Sequence, residues 1–166
     1  LERHLNNTKV QVEIPGDHGD PKFVVEAAKR RRDADAREAK RLNDRPGFDE
    51  VWCVFDGDKH EHFKGACQMA RDSGIGLAAS NPCFELWLLL HFEDVRSQLH
   101  RDEVSRRLKR HLPTYEKGMR GSFAMTKATL DVASYRARAL ASRTSEYEES
   151  QPFTAVVELV ALLSSL

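Results

Sequence analysis

The sequence predicts an α/β fold: a mostly parallel sheet with flanking helices, followed by a helical C-terminal region. Three observations predict it. Val51-Trp52-Cys53-Val54-Phe55 is an unbroken apolar run, the pattern of a strand buried on both faces of a parallel sheet. Up to Phe92, strand-like runs and helix-period segments follow one another as β-α-β-α-β-α, an order that implies right-handed crossovers. After Glu93 only helix-period segments remain. On this reading residues 1–95 form the α/β core and 96–166 a helical extension packed on it.

Taken in order, Leu1-Glu2-Arg3-His4-Leu5 reads as the tail of a helix. Val10-Gln11-Val12-Glu13-Ile14 alternates apolar and polar, a short strand that Pro15-Gly16 ends. Asp20 is an N-cap with Pro21 at the first helical position. The helix they open turns Phe23, Val24, Ala27 and Ala28 inward and runs to about Leu42. The apolar strand stops at Asp56-Gly57-Asp58, and a helix from Glu61 to Ser73 ends at Gly74. Ile75 to Ala79 is a further strand. Ser80-Asn81-Pro82 then opens the apolar helix Cys83 to Phe92, with Asn81 as N-cap. Helices follow over Arg101 to Leu112 and Phe123 to Arg143, the latter with Leu130, Ala133, Ala137 and Leu140 on one stripe. Pro152 opens the last helix, which buries Val156, Val157, Val160 and Leu163.

Composition excludes several classes. A chain of 166 residues with 40% apolar and 31% charged residues is an ordinary globular protein with one sizeable core. No apolar run approaches the ~20 residues that span a bilayer, and the start does not resemble a signal peptide. Cys53, Cys67 and Cys83 are isolated among apolar neighbours, so neither a disulfide framework nor a zinc pair is expected. A cytoplasmic protein fits best. Lysine plus arginine and aspartate plus glutamate both number 26, so global charge does not announce a nucleic-acid partner. The basic clusters Lys29–Arg32 and Arg106–His111 read as solvated helix faces, the first followed by Asp33, Asp35 and Glu38 at ion-pairing spacing. There is no Walker loop, dinucleotide fingerprint, nucleophile elbow or HExxH motif.

Asp56-Gly57-Asp58 is the sharpest chemical feature. Ligands of open α/β sheets bind beyond the carboxyl ends of the strands, where these aspartates fall. A hard cation such as magnesium is held there by one or two carboxylates, water and substrate phosphate. An ordinary strand-ending turn has the same composition. His60 and His62 invite zinc, but no cysteine or histidine pair completes four ligands at familiar spacing. His60 is then a phosphate-facing group or part of a charged loop. Glu85 stands in an otherwise apolar helix with Pro82, not Ser or Thr, three residues earlier. A capping box does not account for it. Either a cation pairs with it or it sits partly exposed near a helix N-terminus. His91 lies six positions later, about 120° around the helix, as a core histidine or a catalytic one.

The strings Val51-Trp52-Cys53-Val54-Phe55-Asp56-Gly57-Asp58-Lys59-His60 and Ser80-Asn81-Pro82-Cys83-Phe84-Glu85-Leu86-Trp87-Leu88-Leu89-Leu90-His91-Phe92 resemble the RloB family. The Asn-Pro-Cys-Phe-Glu-Leu-Trp stretch is the specific part. Pro15-Gly16-Asp17, Gly19-Asp20-Pro21, Tyr115-Glu116-Lys117-Gly118 and Pro152 to Val160 extend the resemblance almost end to end. The family is encoded near restriction-modification loci and grouped with abortive-infection, anti-phage proteins. It looks like a divergent Toprim domain, so the resemblance implies a Toprim-like sheet. It also implies a magnesium site, with manganese as the substitute, for phosphodiester chemistry on RNA or DNA. Asp56 and Asp58 match the metal-binding D-x-D. The Glu that should follow a first strand matches nothing here and would precede Leu1. In this scheme Asp56, Asp58, Glu85 and His91 are the catalytic set, and Asn81, His60 and Lys117 face substrate. The expected partners are nucleic acid and a protein of the same defence locus. The rival expectation is a non-catalytic sensor or interaction subunit on the same scaffold.

Overall fold

The computed structural model describes residues 10–15, 20–43, 45–57, 61–143 and 152–166. Helix α1 (Pro21–Leu42) begins as its caps dictate: the Asp20 carboxylate accepts from the Lys22 N–H at 2.8 Å, and Pro21 occupies the first turn. It ends at Asn43, whose left-handed backbone (φ 52°) lets its N–H reach the Ala39 carbonyl. Strand β1 (Trp52–Asp56), helix α2 (Phe63–Asp72) and strand β2 (Gly76–Asn81) follow. Then come α3 (Glu85–Leu90), α4 (Arg101–His111), α5 (Ser122–Thr126), a 3-10 turn (Lys127–Thr129) and α6 (Leu130–Ala141). Strand β3 (Phe153–Thr154) and α7 (Val156–Ser165) complete the described residues.

The chain is a mixed α/β protein, and among the described residues its sheet has three strands in the order β1-β2-β3. β1 runs parallel to β2, with Trp52 opposite Gly76 and Asp56 opposite Ser80. β3 runs antiparallel to β2, with Ser80 opposite Thr154. Among the described residues the sheet holds one parallel and one antiparallel pair, where the α/β alternation predicts a mostly parallel sheet.

Alternation along the strands divides the core into two layers. Leu77 and Ala79 of β2 join Cys53 and Phe55 of β1 beneath α1 and α2. Ala78 faces the other way, into a layer with Leu86, Leu89 and Leu90 of α3, Leu108 of α4, Ala137 of α6 and Val157 of α7. Phe63 ties the first layer together, with its ring centroid 5.9 Å from both Phe55 and Phe153. It is fully buried, so its truncation to Ala costs about 3–5 kcal/mol.

Several expectations are corrected here. Val10–Ile14 is not a strand: Val12 and Ile14 face solvent, while Gln11 and Glu13 are held by the Arg31 guanidinium on α1. Among the described residues this segment pairs with no strand, so it has no ladder to enter. β1 is buried on one face only; Val54 is 53% exposed, because a cleft rather than a packed helix lies over that side chain. β2 runs on through Asn81, and a cis Asn81–Pro82 bond follows. Asn81 is thus a strand residue, not the N-cap of α3. The long helix expected over 123–143 breaks at Thr126 and Thr129. The Thr126 hydroxyl donates to the Ser122 and Phe123 carbonyls and that of Thr129 to the Thr126 carbonyl, local bonds that compete with a regular helix. Phe153 and Thr154 enter the sheet, so α7 starts four positions after Pro152.

Candidate active site

β1 delivers Asp56 to a cleft of about 560 Å³ between the strand end, the start of α3 and the segment after α4. Val54 and Asp56, two apart on a strand, line it together with Phe84, Glu85, Arg101, Tyr115, Lys117 and Met119. The turn beyond Asp56 is tightly packed. The Gly57 N–H donates to the Ser80 carbonyl at 2.6 Å, and a Cβ on Gly57 would sit 3.0 Å from the Phe63 ring. A side chain there would need the buried Phe63 ring to give by a few tenths of an ångström.

The two oxygens of Asp56 have different partners. Oδ1 accepts the Phe84 backbone N–H at 2.9 Å. Oδ2 lies 3.8 Å from Arg101 Nη2 and 3.7 Å from Lys117 Nζ. Burial pushes the carboxyl above the ordinary aspartate range, and the nearby Glu85 charge adds to the rise. The Phe84 N–H, Lys117 and Arg101 offset part of it. Glu85 is buried, and the Tyr115 hydroxyl donates to its Oε1 at 3.2 Å. Burial and the same carboxylate drive the Tyr115 phenol up, so it stays a neutral donor. Cys83, beside both carboxylates, is pushed up to about 12, first by burial and then by the Glu85 charge. Cys53 and Cys67 are likewise raised, to about 11 and about 12, by burial. At neutral pH all three stay thiols, which are poor metal ligands.

The structure therefore brings together Asp56, Glu85 and Lys117 of the residues singled out in the sequence. Asp58 and His60 lie outside the described residues. Asn81 is buried at the end of β2. His91 is not among the cleft residues. It is buried on the α6 side, with Nδ1 3.1 Å from the Thr129 hydroxyl and its ring 5.0 Å from that of Trp87. Burial, helped by the Arg136 charge, pulls its pKa down against a backbone bond at Thr126. His62 pairs with Asp20 at 2.7 Å. The basic clusters are mostly spoken for: Arg31 by Glu13, Arg32 by Asp33 and the Ser73 carbonyl, Arg106 by Glu103, and Arg107 by Glu93.

Arg101 and Tyr115 are the cleft residues that sequence reasoning missed. Arg101 carried a signal, since it is the first residue of α4, where the helix dipole disfavours a cation. Among the described residues no three His, Cys, Asp or Glu side chains converge as a metal site. What converges is a pair of hard carboxylates, one with an oxygen turned to two cations.

A family model described as RloB-like protein matches residues 1–163. The chain belongs to that family. No curated protein and no solved structure matches it. Membership of the RloB-like family suggests a defence-associated role linked to restriction loci. No described helix is long and apolar enough to cross a membrane.

Proposed function

We propose that this RloB-like protein is a magnesium-dependent nuclease of an anti-phage, abortive-infection system, built on a divergent Toprim-like scaffold in the cytoplasm. The observation that carries the reading is Asp56 Oδ2, presented at a strand end to a cleft shared with Glu85, Arg101 and Lys117. A carboxylate raised by burial and by a second carboxylate gains when a hard cation arrives, and one or two carboxylates suit magnesium. Manganese shares these preferences for oxygen.

Asp56 and Asp58 would hold the ion, with Glu85 completing or orienting the set. When bound, magnesium polarises a phosphoryl oxygen and lowers the pKa of a water. The chain's own residues do the rest. Phe84 N–H fixes the Asp56 carboxylate plane through Oδ1. Tyr115 fixes Glu85. Lys117 and Arg101 are the cations at hand for the phosphate, and Val54, Phe84 and Met119 give the cleft an apolar wall for a base or sugar. In this reading His91 and Asn81 support packing behind the site, and His60 is a phosphate-facing group. Incubating the purified full-length protein with RNA and DNA oligonucleotides, with magnesium or chelator, tests the proposal. Cleavage that needs magnesium and Asp56 supports it, and none on either substrate refutes it.

The balanced charge of the chain, with 26 lysines and arginines against 26 aspartates and glutamates, favours one rival: a non-catalytic subunit that docks a protein of the same locus. That rival predicts association without magnesium and without any effect of Asp56→Ala.

A further inference from the structure

We infer that Lys117 serves as an exchangeable counterion of Asp56, beside the Arg101 charge. It neighbours Oδ2 while the site lacks metal, and yields that oxygen to a divalent cation, which frees the Lys117 ammonium for the substrate phosphate. The inference rests on the nuclease reading and adds a condition to it: phosphate capture is coupled to metal loading.

The geometry carries it. Oδ1 is committed to the Phe84 N–H, so Oδ2 is the oxygen left for a metal. That oxygen faces two cations at 3.7 and 3.8 Å, both beyond the ~2.7–3.2 Å of a formed N–H···O bond. They are charge neighbours, not locked hydrogen bonds. They come from separate segments, the start of α4 and the turn after Tyr115, so one helix does not impose the pairing. The Lys117 side chain is 70% exposed, so it can withdraw into water at little cost. Magnesium binds oxygen at ~2.0–2.1 Å, so an ion on Oδ2 would meet two like charges within a few ångströms. Arg101 and Lys117 must therefore weaken metal binding for as long as they stay.

The sign is opposite to that of a supporting residue. Removing Lys117 takes away a competitor for Oδ2 and a like charge near the ion, so metal binds more tightly. Because exposed ion pairs are weak, the gain should be about two- to fivefold. The test is titration of the full-length protein with Mn2+ alone, following free Mn2+ by electron paramagnetic resonance. Wild type should bind Mn2+ in an Asp56-dependent way, and Lys117→Met should bind it about two- to fivefold more tightly. Lys117→Arg should bind like wild type. Lys109→Met, eight residues and about 12 Å along α4 from Arg101, should not change affinity and so controls for net charge. Lys117→Met binding equal to or weaker than wild type, with Asp56-dependent binding intact, overturns the counterion role alone. Wild-type protein without Asp56-dependent Mn2+ binding overturns the nuclease reading as well. Lys117 is exposed, and a thermal melt matching wild type certifies that the variant is folded.

Discussion

Replacing Asp56 with Asn should stabilise the fold while removing the proposed activity. The Asp56 side chain is 25% exposed, and its carboxyl is raised above the ordinary value of 3.8 with burial as the largest cause. Burying a carboxylate costs several kcal/mol. A charge-assisted bond such as that from Phe84 N–H returns about 1.5–3 kcal/mol, and each exposed ion pair about 0.2–1 kcal/mol. These nearly balance, and the raised pKa fixes the sign of the remainder against the ion. Asparagine keeps the shape and an oxygen for Phe84 N–H, so the variant should gain about 1 kcal/mol, or roughly 2–4 °C in Tm for a chain of this size. A group whose pKa is raised on folding contributes stability below its unfolded value and loses it as pH rises through its folded value. The advantage of Asp56→Asn should thus be full at pH 7.5 and shrink as pH falls toward 3.8. Thermal unfolding in chelator at several pH values measures it. A variant melting at or below wild type at pH 7.5 would refute the claim that this carboxylate is held at a cost.

Three further predictions concern its surroundings. A Cβ on Gly76 would lie 2.3–2.8 Å from three ring atoms of Trp52, whose Nε1 donates to Glu50 at 2.7 Å. Gly76→Ala should therefore cost about 1–3 kcal/mol in urea unfolding, and unchanged stability would mean that the indole yields freely. Tyr115→Phe strips the Tyr115 hydroxyl from the buried Glu85 carboxylate, at about 1–3 kcal/mol; a urea midpoint equal to wild type would show that Glu85 does not depend on it. His91 has its pKa lowered by burial, and its Nε2 has no hydrogen-bond partner among the described residues. Its contribution to stability is present above the ordinary 6.5 and lost as pH falls through the folded value. His91→Phe should flatten the loss of stability between pH 7.5 and 5.5, and an unchanged slope would assign that loss to other groups.

Local signals carried most of the elements, and tertiary pairing decided the rest. Asp20-Pro21 and Asn43 frame α1 through caps that act within a few residues, so that helix was legible. The apolar run into Asp56 marked β1, yet its open face at Val54 depends on what flanks the strand. β3 is two residues long and exists through its pairing with β2, including the 2.8 Å contact between the Ser80 and Thr154 hydroxyls. No periodicity could have announced it. In the cleft, Asp56 was visible because it ends an apolar strand at the edge where α/β sheets bind ligands, and Glu85 because it violated a local expectation. Arg101 violated one too, as a cation opening a helix. Tyr115 did not, because an aromatic residue in a connecting segment reads as ordinary packing until Glu85 is seen beneath its hydroxyl.

The measurement closest to the central claim is single-turnover cleavage of RNA and DNA oligonucleotides by wild type and Asp56→Asn. Both proteins should first be shown folded, and each assayed in magnesium and in chelator. The account predicts cleavage by wild type in magnesium alone, falling roughly 10²-fold or more in the variant, although the variant is the more stable protein. Cleavage that persists in chelator, or that Asp56→Asn leaves intact, would contradict it.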